Sequence, residues 1–195
     1  MSLPKLPRLI FLDTNVVQNL WSFGELVYDN CLSPEAVARL ESLGQRITED
    51  MKALATLMQL GRRCGWPLAV SQRTLDELNR ITEPNKRRHA MAWGWEIATY
   101  FEESLPFDQK SSSYEKHINR QRATQLYQNN ELSLLPHDKD RLLLLDAIAL
   151  GCEVFLTMDY QSIWKFRNQI GELGIVIMRP TEFLSYIEPW IDLLR

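Results

Sequence analysis

One segment carries most of the information about the fold of this chain: Asp140–Asp159, with the sequence DRLLLLDAIALGCEVFLTMD. Its first half is apolar over a helical length and ends at Gly151, a residue type that commonly terminates helices. Its second half contains Val154–Thr157, a short apolar run typical of a buried strand. Asp159 follows this run closely. The segment therefore predicts a helix, then a buried strand, then an acid at the carboxyl end of that strand.

Three further apolar runs repeat this pattern. The first, RLIFLD at Arg8–Asp13, also ends in an aspartate. PLAVS at Pro67–Ser71 and GIVIM at Gly174–Met178 are equally short, and each is consistent with a buried strand. Because these runs alternate with helical stretches, we expect a parallel sheet covered on both faces. The predicted fold class is α/β: one three-layer α/β/α domain with a short, mainly parallel sheet, spanning residues 1–195 and carrying a helical insertion at about 85–135.

Helix boundaries are predicted from capping residues and helix breakers. Ser33-Pro34-Glu35 combines a capping hydroxyl, a proline at the first helical position and an acid, so we expect a helix from there to about Arg63. Further helices are expected over 15–28, from near Thr74, from Asp138 or its neighbours, and from Pro180 to near the C-terminus. The insertion is expected to be helical, with a polar break at Lys110–Ser113.

Composition is that of an ordinary globular protein and argues against several classes of function. The 195 residues carry a net charge of −3, so nucleic acid would have to be bound through a local basic patch. The three cysteines include no CxxC pair, which argues against zinc and against a disulfide framework. No apolar run approaches the roughly 20 residues that span a bilayer, and no secretory signal is recognised. We therefore expect a cytoplasmic protein.

Crossover geometry is expected to bring four acids to one edge of the sheet. Asp13 and Asp159 follow strands, whereas Glu77 and Asp140 lie near the starts of helices. A helix between parallel strands runs antiparallel to them, so its N-terminus lies at their carboxyl edge, where open α/β sheets bind ligands. Clustered carboxylates repel one another unless a hard cation neutralises them, and Mg²⁺ or Mn²⁺ is the usual choice. The pattern predicts a divalent-metal site that hydrolyses phosphodiester bonds.

Asp146 competes with Asp140 for a place at this edge. It lies six residues further along the predicted helix, which is about 9 Å down the axis and a rotation of about 120°. Asp140 is therefore the preferred site residue. A carboxylate inside LLLLDAIAL is unfavourable without a partner, which leaves Asp146 a supporting role or a buried pair. Asp138 is expected to cap the helix.

These motifs resemble those of the PIN-domain nucleases. Asp13-Thr14-Asn15 after the first apolar strand is similar to the opening motif of that family. Ser71 and Glu77 resemble its second strand and the helix that carries its next acid. The closing segment places Asp140 and Asp159 at spacings like those of the third and fourth acidic positions of the family. The order and spacing of the motifs, rather than any one of them, carry the resemblance.

The resemblance covers both ends of the chain and residues 67–78, but not 16–66 in detail or 85–135. It implies a Mg²⁺- or Mn²⁺-dependent endoribonuclease that acts mainly on single-stranded RNA. Many small members of the family are toxins, so a small antitoxin protein is an implied partner. The aromatic insertion is a candidate surface for a homodimer. RNA and DNA remain open as alternative substrates.

The resemblance also assigns the residues that would be catalytic and hold one or two metal ions, partly through water: Asp13, Glu77, Asp140 and Asp159. It further implies that Asn15 and Thr157 support this set through hydrogen bonds. Metal-assisted hydrolysis needs no Ser, Cys or His nucleophile. That fits a chain whose three histidines lie beside no plausible catalytic partner.

Basic residues are concentrated in the insertion. Lys86, Arg87 and Arg88 precede Trp93 and Trp95. Cationic side chains beside aromatic rings suit a single-stranded backbone with stacked bases, so these three residues are candidate substrate contacts. The alternative is that they form an ordinary solvated helix face.

Two other phosphate-handling folds also place an aspartate after a strand. A phosphatase of the haloacid-dehalogenase type needs a second aspartate two residues later, where this chain has Asn15. A response-regulator receiver needs a lysine after a late strand, where this chain has Arg179. A more serious alternative is a catalytically degenerate PIN fold that serves as an RNA-binding or assembly module.

Overall fold

A parallel sheet of four short strands forms the centre of the molecule. The computed structural model describes residues 6–29, 31, 33–64, 66–104, 113–170 and 172–194. Its strands are β1 (Ile10–Leu12), β2 (Leu68–Ala69), β3 (Val154–Leu156) and β4 (Val176–Met178). They pair in the order β2-β1-β3-β4, all parallel, with Phe11 opposite both Ala69 and Phe155. The predicted α/β class is confirmed.

Ten helices surround the sheet in the part of the chain that the structure describes. They are α1 (Thr14–Ser22), α2 (Gly24–Asp29), α3 (Pro34–Ser42), α4 (Gln45–Cys64), α5 (Gln72–Leu78), α6 (Pro84–Ser104), α7 (Ser113–Gln128), α8 (Asp138–Ala149), α9 (Ile163–Phe166) and α10 (Pro180–Leu194). The strands that the sequence predicts are all present, but each is shorter than expected. Ser71, which ends the predicted second strand, instead accepts a hydrogen bond from the Thr74 amide at 3.4 Å and caps α5.

Side chains alternate along the strands and so create two hydrophobic cores, one on each face of the sheet. Ile10 and Leu12 point to the first core, which α1, α4, α6 and α10 cover. Phe11 and Phe155 point to the second core, which α7, α8 and α9 cover, and their rings stack with centroids 5.2 Å apart. These layers confirm the three-layer α/β/α architecture.

Two segments expected to be single helices are each divided. The helix predicted from Ser33 to about Arg63 is α3 followed by α4, and Gly44 lies between them with φ of +95°. That left-handed conformation favours glycine and stops a right-handed helix. The segment 15–28 is likewise divided near Phe23 into α1 and α2. The single-helix prediction was wrong in both places, although Ser33 does cap α3 as expected.

The insertion predicted at about 85–135 contributes helices to both layers. α6 packs against α1, α5 and β2 on the first face, whereas α7 packs against α8 on the second. Ala90 and Ile97 of α6 are buried in the first core, and Ala123 and Leu126 of α7 are buried in the second. The polar break lies almost wholly within 105–112, outside the described residues. The insertion is thus part of the packing on both sides of the sheet.

Composition-based expectations concern the membrane and the thiols. Among the described residues, no helix combines the length and the apolar character that crossing a membrane would require. Cys152 is buried and Cys31 is exposed, and both thiols are free. Cys31 follows α2 at the surface, whereas Cys152 lies in the second core.

Candidate metal centre

The four predicted acids lie on elements that meet at the carboxyl edge of the sheet. Asp13 directly follows β1, and Asp159 comes three residues after β3. Asp140 lies in the first turn of α8, whose C-terminal end leads into β3. Glu77 lies in α5 and accepts a 2.6 Å hydrogen bond from the hydroxyl of Thr14, the residue after Asp13. We call Asp13, Glu77, Asp140 and Asp159 the acidic edge.

Asp13 is the most deeply buried member of the acidic edge, with only 3% of its surface exposed. Its Oδ1 accepts from the Thr14 amide at 2.7 Å, and its Oδ2 accepts from Asn15 Nδ2 at 2.8 Å and from the Thr157 hydroxyl at 2.6 Å. Burial raises the pKa of Asp13 to about 7. The negative charges of Asp159 and Asp140 also raise this pKa, whereas the hydrogen bonds from Thr157 and Thr14 lower it.

Asn15 and Thr157 join the ends of the two central strands. Asn15 Oδ1 accepts from the Met158 amide at 2.9 Å, while its Nδ2 donates to Asp13. The Thr157 hydroxyl donates to Asp13 and accepts from the Asp159 amide at 2.9 Å. Each side chain therefore fixes the position of Asp13 relative to the loop that carries Asp159. Asn15 and Thr157 thus each hydrogen bond to Asp13 and to the backbone after β3.

Asp140 and Asp159 are linked through Ser162, a residue that the sequence patterns did not single out. The Ser162 hydroxyl donates to Asp140 Oδ2, and its amide donates to Asp159 Oδ1 at 3.0 Å. Burial raises the pKa of Asp140, the Ser162 hydrogen bond lowers it, and the charges of Asp159 and Glu77 raise it. A serine three residues after a strand-end aspartate was the available signal, since Asp and Ser commonly bond nearby backbone amides.

Asp146 and Asp138 each form an ion pair with an arginine. Asp146 Oδ2 pairs with Arg73 Nε at 3.2 Å, joining α8 to the first turn of α5. Asp138 does not cap α8: His137 occupies the cap position, and Asp138 is the first helical residue, paired with Arg141 at 3.0 Å. The cap prediction was wrong because the helix begins one residue earlier than a capping role for Asp138 requires.

The chemistry of the acidic edge suits a hard cation in some respects and not in others. Its donors are all carboxylate oxygens, the ligands that Mg²⁺ and Mn²⁺ prefer. Burial is the main cause of the raised pKa values of Asp13 and Asp140, and the charges of the neighbouring acids raise both values further. Yet among the described residues no three His, Cys, Asp or Glu side chains are close enough to hold one ion directly. The fit rests on donor type and mutual repulsion.

A second buried aspartate lies next to this edge and was not recognised from the sequence. Asp50 of α4 is 0% exposed. It accepts from the Tyr160 hydroxyl at 2.7 Å and from the amide and hydroxyl of Thr181 at 3.1 and 2.6 Å. Arg179 lies 3.7 Å away. Because Tyr160 directly follows Asp159, Asp50 ties the loop of the acidic edge to the start of α10.

Of the basic residues predicted to contact substrate, Lys86 lies near the far end of α1. Lys86 Nζ is 5.8 Å from the ring centroid of Trp21, and His89 stacks on the same ring at 6.0 Å. Trp21 is eight residues beyond Asp13 in this helix, a separation of about 12 Å along the axis. Lys86 therefore lies beside Trp21, and Arg87 and Arg88 follow it in α6.

Comparisons with protein-family models, with curated proteins and with solved structures found no match. The resemblance to PIN-domain nucleases therefore depends on the motif residues themselves. Within those motifs, Thr14 and Asn15 bond to Glu77 and Asp13, and Thr157 bonds to Asp13. The motif polar residues thus contact the motif acids.

Proposed function

We propose that this chain is a PIN-like, divalent-metal-dependent nuclease that hydrolyses phosphodiester bonds in single-stranded RNA. One observation carries the proposal: carboxylates at the end of β1, on α5, on α8 and in the loop after β3 converge at one edge of the sheet. Burial raises the pKa values of Asp13 and Asp140, and the neighbouring acids raise them further: Asp159 and Asp140 act on Asp13, and Asp159 and Glu77 act on Asp140. Such an arrangement is costly in a folded protein unless a cation or proton offsets it. Perturbed acids in such a cluster are typical of functional sites.

Asp13, Glu77, Asp140 and Asp159 would hold one or two Mg²⁺ or Mn²⁺ ions, partly through water. A bound ion would supply Lewis acidity, lowering the pKa of a water and stabilising the charge that develops on the phosphate. The chain contributes orientation: Asn15 and Thr157 hold the Asp13 carboxylate, and Ser162 holds Asp140. Asp13 must lose its proton before it binds a cation, which its pKa of about 7 allows near neutral pH.

A non-catalytic RNA-binding or assembly module is the second candidate. It is favoured by the finding that, among the described residues, no three potential ligands are close enough to bind one ion directly. In that case the acidic edge would be a remnant, held by hydrogen bonds to Thr14, Thr157 and Ser162. Cleavage that depends on added metal separates the two candidates.

The decisive experiment measures cleavage of labelled single-stranded RNA and DNA with Mn²⁺, Mg²⁺ or chelator. We expect cleavage with metal and none with chelator. Asp13→Asn and Asp140→Asn should each lower the rate at least about a hundredfold, as removal of a charge-stabilising group typically does. Asp138→Asn is the matched control, because Asp138 lies on the same turn of α8 with its side chain 86% exposed. Equal rates for wild type and Asp140→Asn would reject the nuclease proposal.

Two protein partners belong to the same proposal. A small antitoxin encoded beside this chain would bind it and block cleavage, and a second copy of the chain would form a homodimer. A growth assay with and without co-expression of the neighbouring reading frame tests for the antitoxin, because a toxin alone would arrest growth in the cytoplasm. Light scattering on the purified chain tests for the homodimer.

A further inference from the structure

Beside the acidic edge lies a group of cationic and aromatic side chains that we call the arginine–aromatic surface: Arg46, Tyr160, Trp164, Arg167 and Arg179. Its position is fixed by the chain itself. Tyr160 directly follows Asp159, and the Trp164 amide donates to the Asp159 carbonyl at 3.2 Å. Arg179 directly follows β4, the neighbour of β3 in the sheet. The surface and the acidic edge therefore occupy the same edge of the sheet.

Three guanidinium groups lie close to one indole ring. The Cζ atoms of Arg167, Arg179 and Arg46 are 4.0, 4.9 and 5.9 Å from the Trp164 centroid. Arg46 is also 5.5 Å from the centroid of Tyr160, whose ring meets Trp164 edge-on. Both rings are half-buried and Arg46 is exposed. Cations and aromatic faces so arranged are what a single-stranded backbone and its bases contact.

Two acids offset this positive charge incompletely. Glu182 pairs with Arg167 at 3.2 Å, and Asp50 lies 3.7 Å from Arg179. Arg46 has no ion pair among the described residues and stands at the exposed margin of the group. Because like charges repel, an anion bound at the exposed margin of the group, beside Arg46, would stabilise it. The planar fork of an arginine side chain matches the geometry of a phosphate.

The surface is held rigidly from beneath and has space beside it. The buried Asp50 carboxylate fixes Tyr160 by a hydrogen bond, and Glu182 accepts from the indole Nε1 of Trp164 at 3.0 Å. From Arg167, a groove of about 360 Å³ runs along the open side of β4, lined also by Val176 and Met178. Pockets that bind small molecules span about 300–1,000 Å³, so this groove has room for a nucleotide.

We infer that the arginine–aromatic surface binds the phosphodiester backbone of single-stranded nucleic acid next to the bond that is cut. This inference rests on the proposed nuclease function and names the surface that would hold its substrate. An acidic edge repels a polyanion, so a chain of net charge −3 needs cations within a nucleotide or two of it. The arginine–aromatic surface meets that need, whereas Lys86 contacts Trp21 near the far end of α1.

Binding is tested by fluorescence anisotropy with a labelled 12-nucleotide single-stranded RNA, and with DNA of the same sequence, in chelator. Loss of one phosphate contact lowers the salt slope of binding by about 0.7, which corresponds to about eightfold weaker binding at about 50 mM salt. We expect that change for Arg46→Gln and separately for Arg167→Gln. Comparing RNA with DNA shows whether the 2′-hydroxyl adds to the shared phosphate chemistry.

Arg120→Gln is the matched control. Arg120 is exposed on α7, and its neighbour Asn119 lies against Gly151, which follows the end of α8 remote from Asp140. It should leave affinity and salt slope unchanged. The inference is overturned if wild type binds neither nucleic acid, if Arg46→Gln and Arg167→Gln both bind like wild type, or if Arg120→Gln weakens binding equally.

Cleavage assays on the same variants separate this inference from the nuclease proposal. With Mn²⁺, Arg46→Gln should raise KM about eightfold with kcat unchanged, because it removes binding common to ground and transition states. If wild type cleaves with metal but the arginine variants bind nucleic acid as wild type does, the inference about the arginine–aromatic surface is overturned and the nuclease proposal stands. Weakened binding by those variants, without cleavage by wild type in any metal, would support the surface and reject the nuclease.

Discussion

Asp13 and Asp50 are both buried, at 3% and 0% exposure, yet their surroundings differ in kind. Asp50 faces donors only: the Tyr160 hydroxyl, the amide and hydroxyl of Thr181, and the guanidinium of Arg179. Asp13 also receives hydrogen bonds, but Asp159 and Asp140 add negative charge beside it. Burial alone does not distinguish a carboxylate that stabilises the fold, such as Asp50, from one in a candidate catalytic centre, such as Asp13. The sign of the neighbouring charges does distinguish these two residues.

This difference has a consequence for stability. Asp50 joins α4, the loop after Asp159 and the start of α10, so its charge is compensated when the protein folds. When the protein folds, burial and the negative charges of Asp159 and Asp140 disfavour the charged form of Asp13. We therefore expect the folded chain to depend on the charge of Asp50 and to be weakened by the charge of Asp13.

The largest effect is expected for Asp50→Ala. It removes one partner of a buried, hydrogen-bonded charge and leaves donors of Tyr160 and Thr181 without an acceptor, which typically costs about 3–5 kcal/mol. Denaturant unfolding measures the loss of free energy of unfolding. Asp146→Ala is the control, because Asp146 is partly exposed and pairs with Arg73 at the surface. A loss below about 1 kcal/mol for Asp50→Ala would contradict the structural role.

Asp13 should show the opposite dependence on charge. Its pKa is raised to about 7 from an ordinary value of 3.8, so the folded state binds this proton more tightly than the unfolded state. The resulting stability is fully present below about pH 4 and is lost as pH rises to about 7, at up to about 1.4 kcal/mol per pH unit. Without metal, the difference in free energy of unfolding between wild type and Asp13→Asn should therefore change by about 2–4 kcal/mol across that window. If the difference in free energy of unfolding between wild type and Asp13→Asn did not change with pH, the charge of Asp13 would not destabilise the folded chain.

Asp13 was predictable from the sequence and Asp50 was not, for a physical reason. Asp13 ends an apolar strand, and the carboxyl ends of parallel strands meet at one edge whatever the details of packing. Asp50 lies in the second turn of α4, and its donors come from Tyr160, Arg179 and Thr181, at least 110 positions away in the chain. Only tertiary packing brings those groups together, so no local pattern marks them.

The divided helix and the arginine–aromatic surface differ from the sequence predictions for separate reasons. The left-handed Gly44 divides a helix that capping residues alone predict to be continuous. The three arginines near Trp164 come from α4, the end of α9 and the end of β4. They form no run in the sequence. By contrast, Lys86–Arg88 do form a run that is visible in the sequence, although the structure places Lys86 beside Trp21.

Added metal should offset the destabilisation that the charge of Asp13 causes in the folded state. Asp13 would then resemble Asp50 in having its charge compensated. At about a hundred times its dissociation constant, Mn²⁺ would stabilise the folded chain by about 2.7 kcal/mol. The stabilisation should fall below pH 7, because a cation competes with the proton that Asp13 binds there. Thermal unfolding with and without Mn²⁺, at pH 6 and pH 8, measures it. An equal shift in Asp13→Asn, Asp140→Asn and wild type would place the ion elsewhere.

The smallest effect is expected for Ser162→Ala, which bears on how the acidic edge is held. This change removes the hydroxyl that donates to Asp140 but keeps the Ser162 amide that donates to Asp159. A hydrogen bond to a half-buried carboxylate contributes about 1–2 kcal/mol, and because it lowers the pKa of Asp140, its loss should raise that pKa further. The optimum for Mn²⁺ binding should then move to higher pH, with little change in stability at acidic pH.

Nuclear magnetic resonance titration of the Asp140 carboxyl carbon measures the shift directly, with Ser133→Ala as a control at an exposed serine before α8. An unchanged titration would mean that Ser162 only orders the loop, and that burial and the charges of Asp159 and Glu77 alone set the protonation of Asp140.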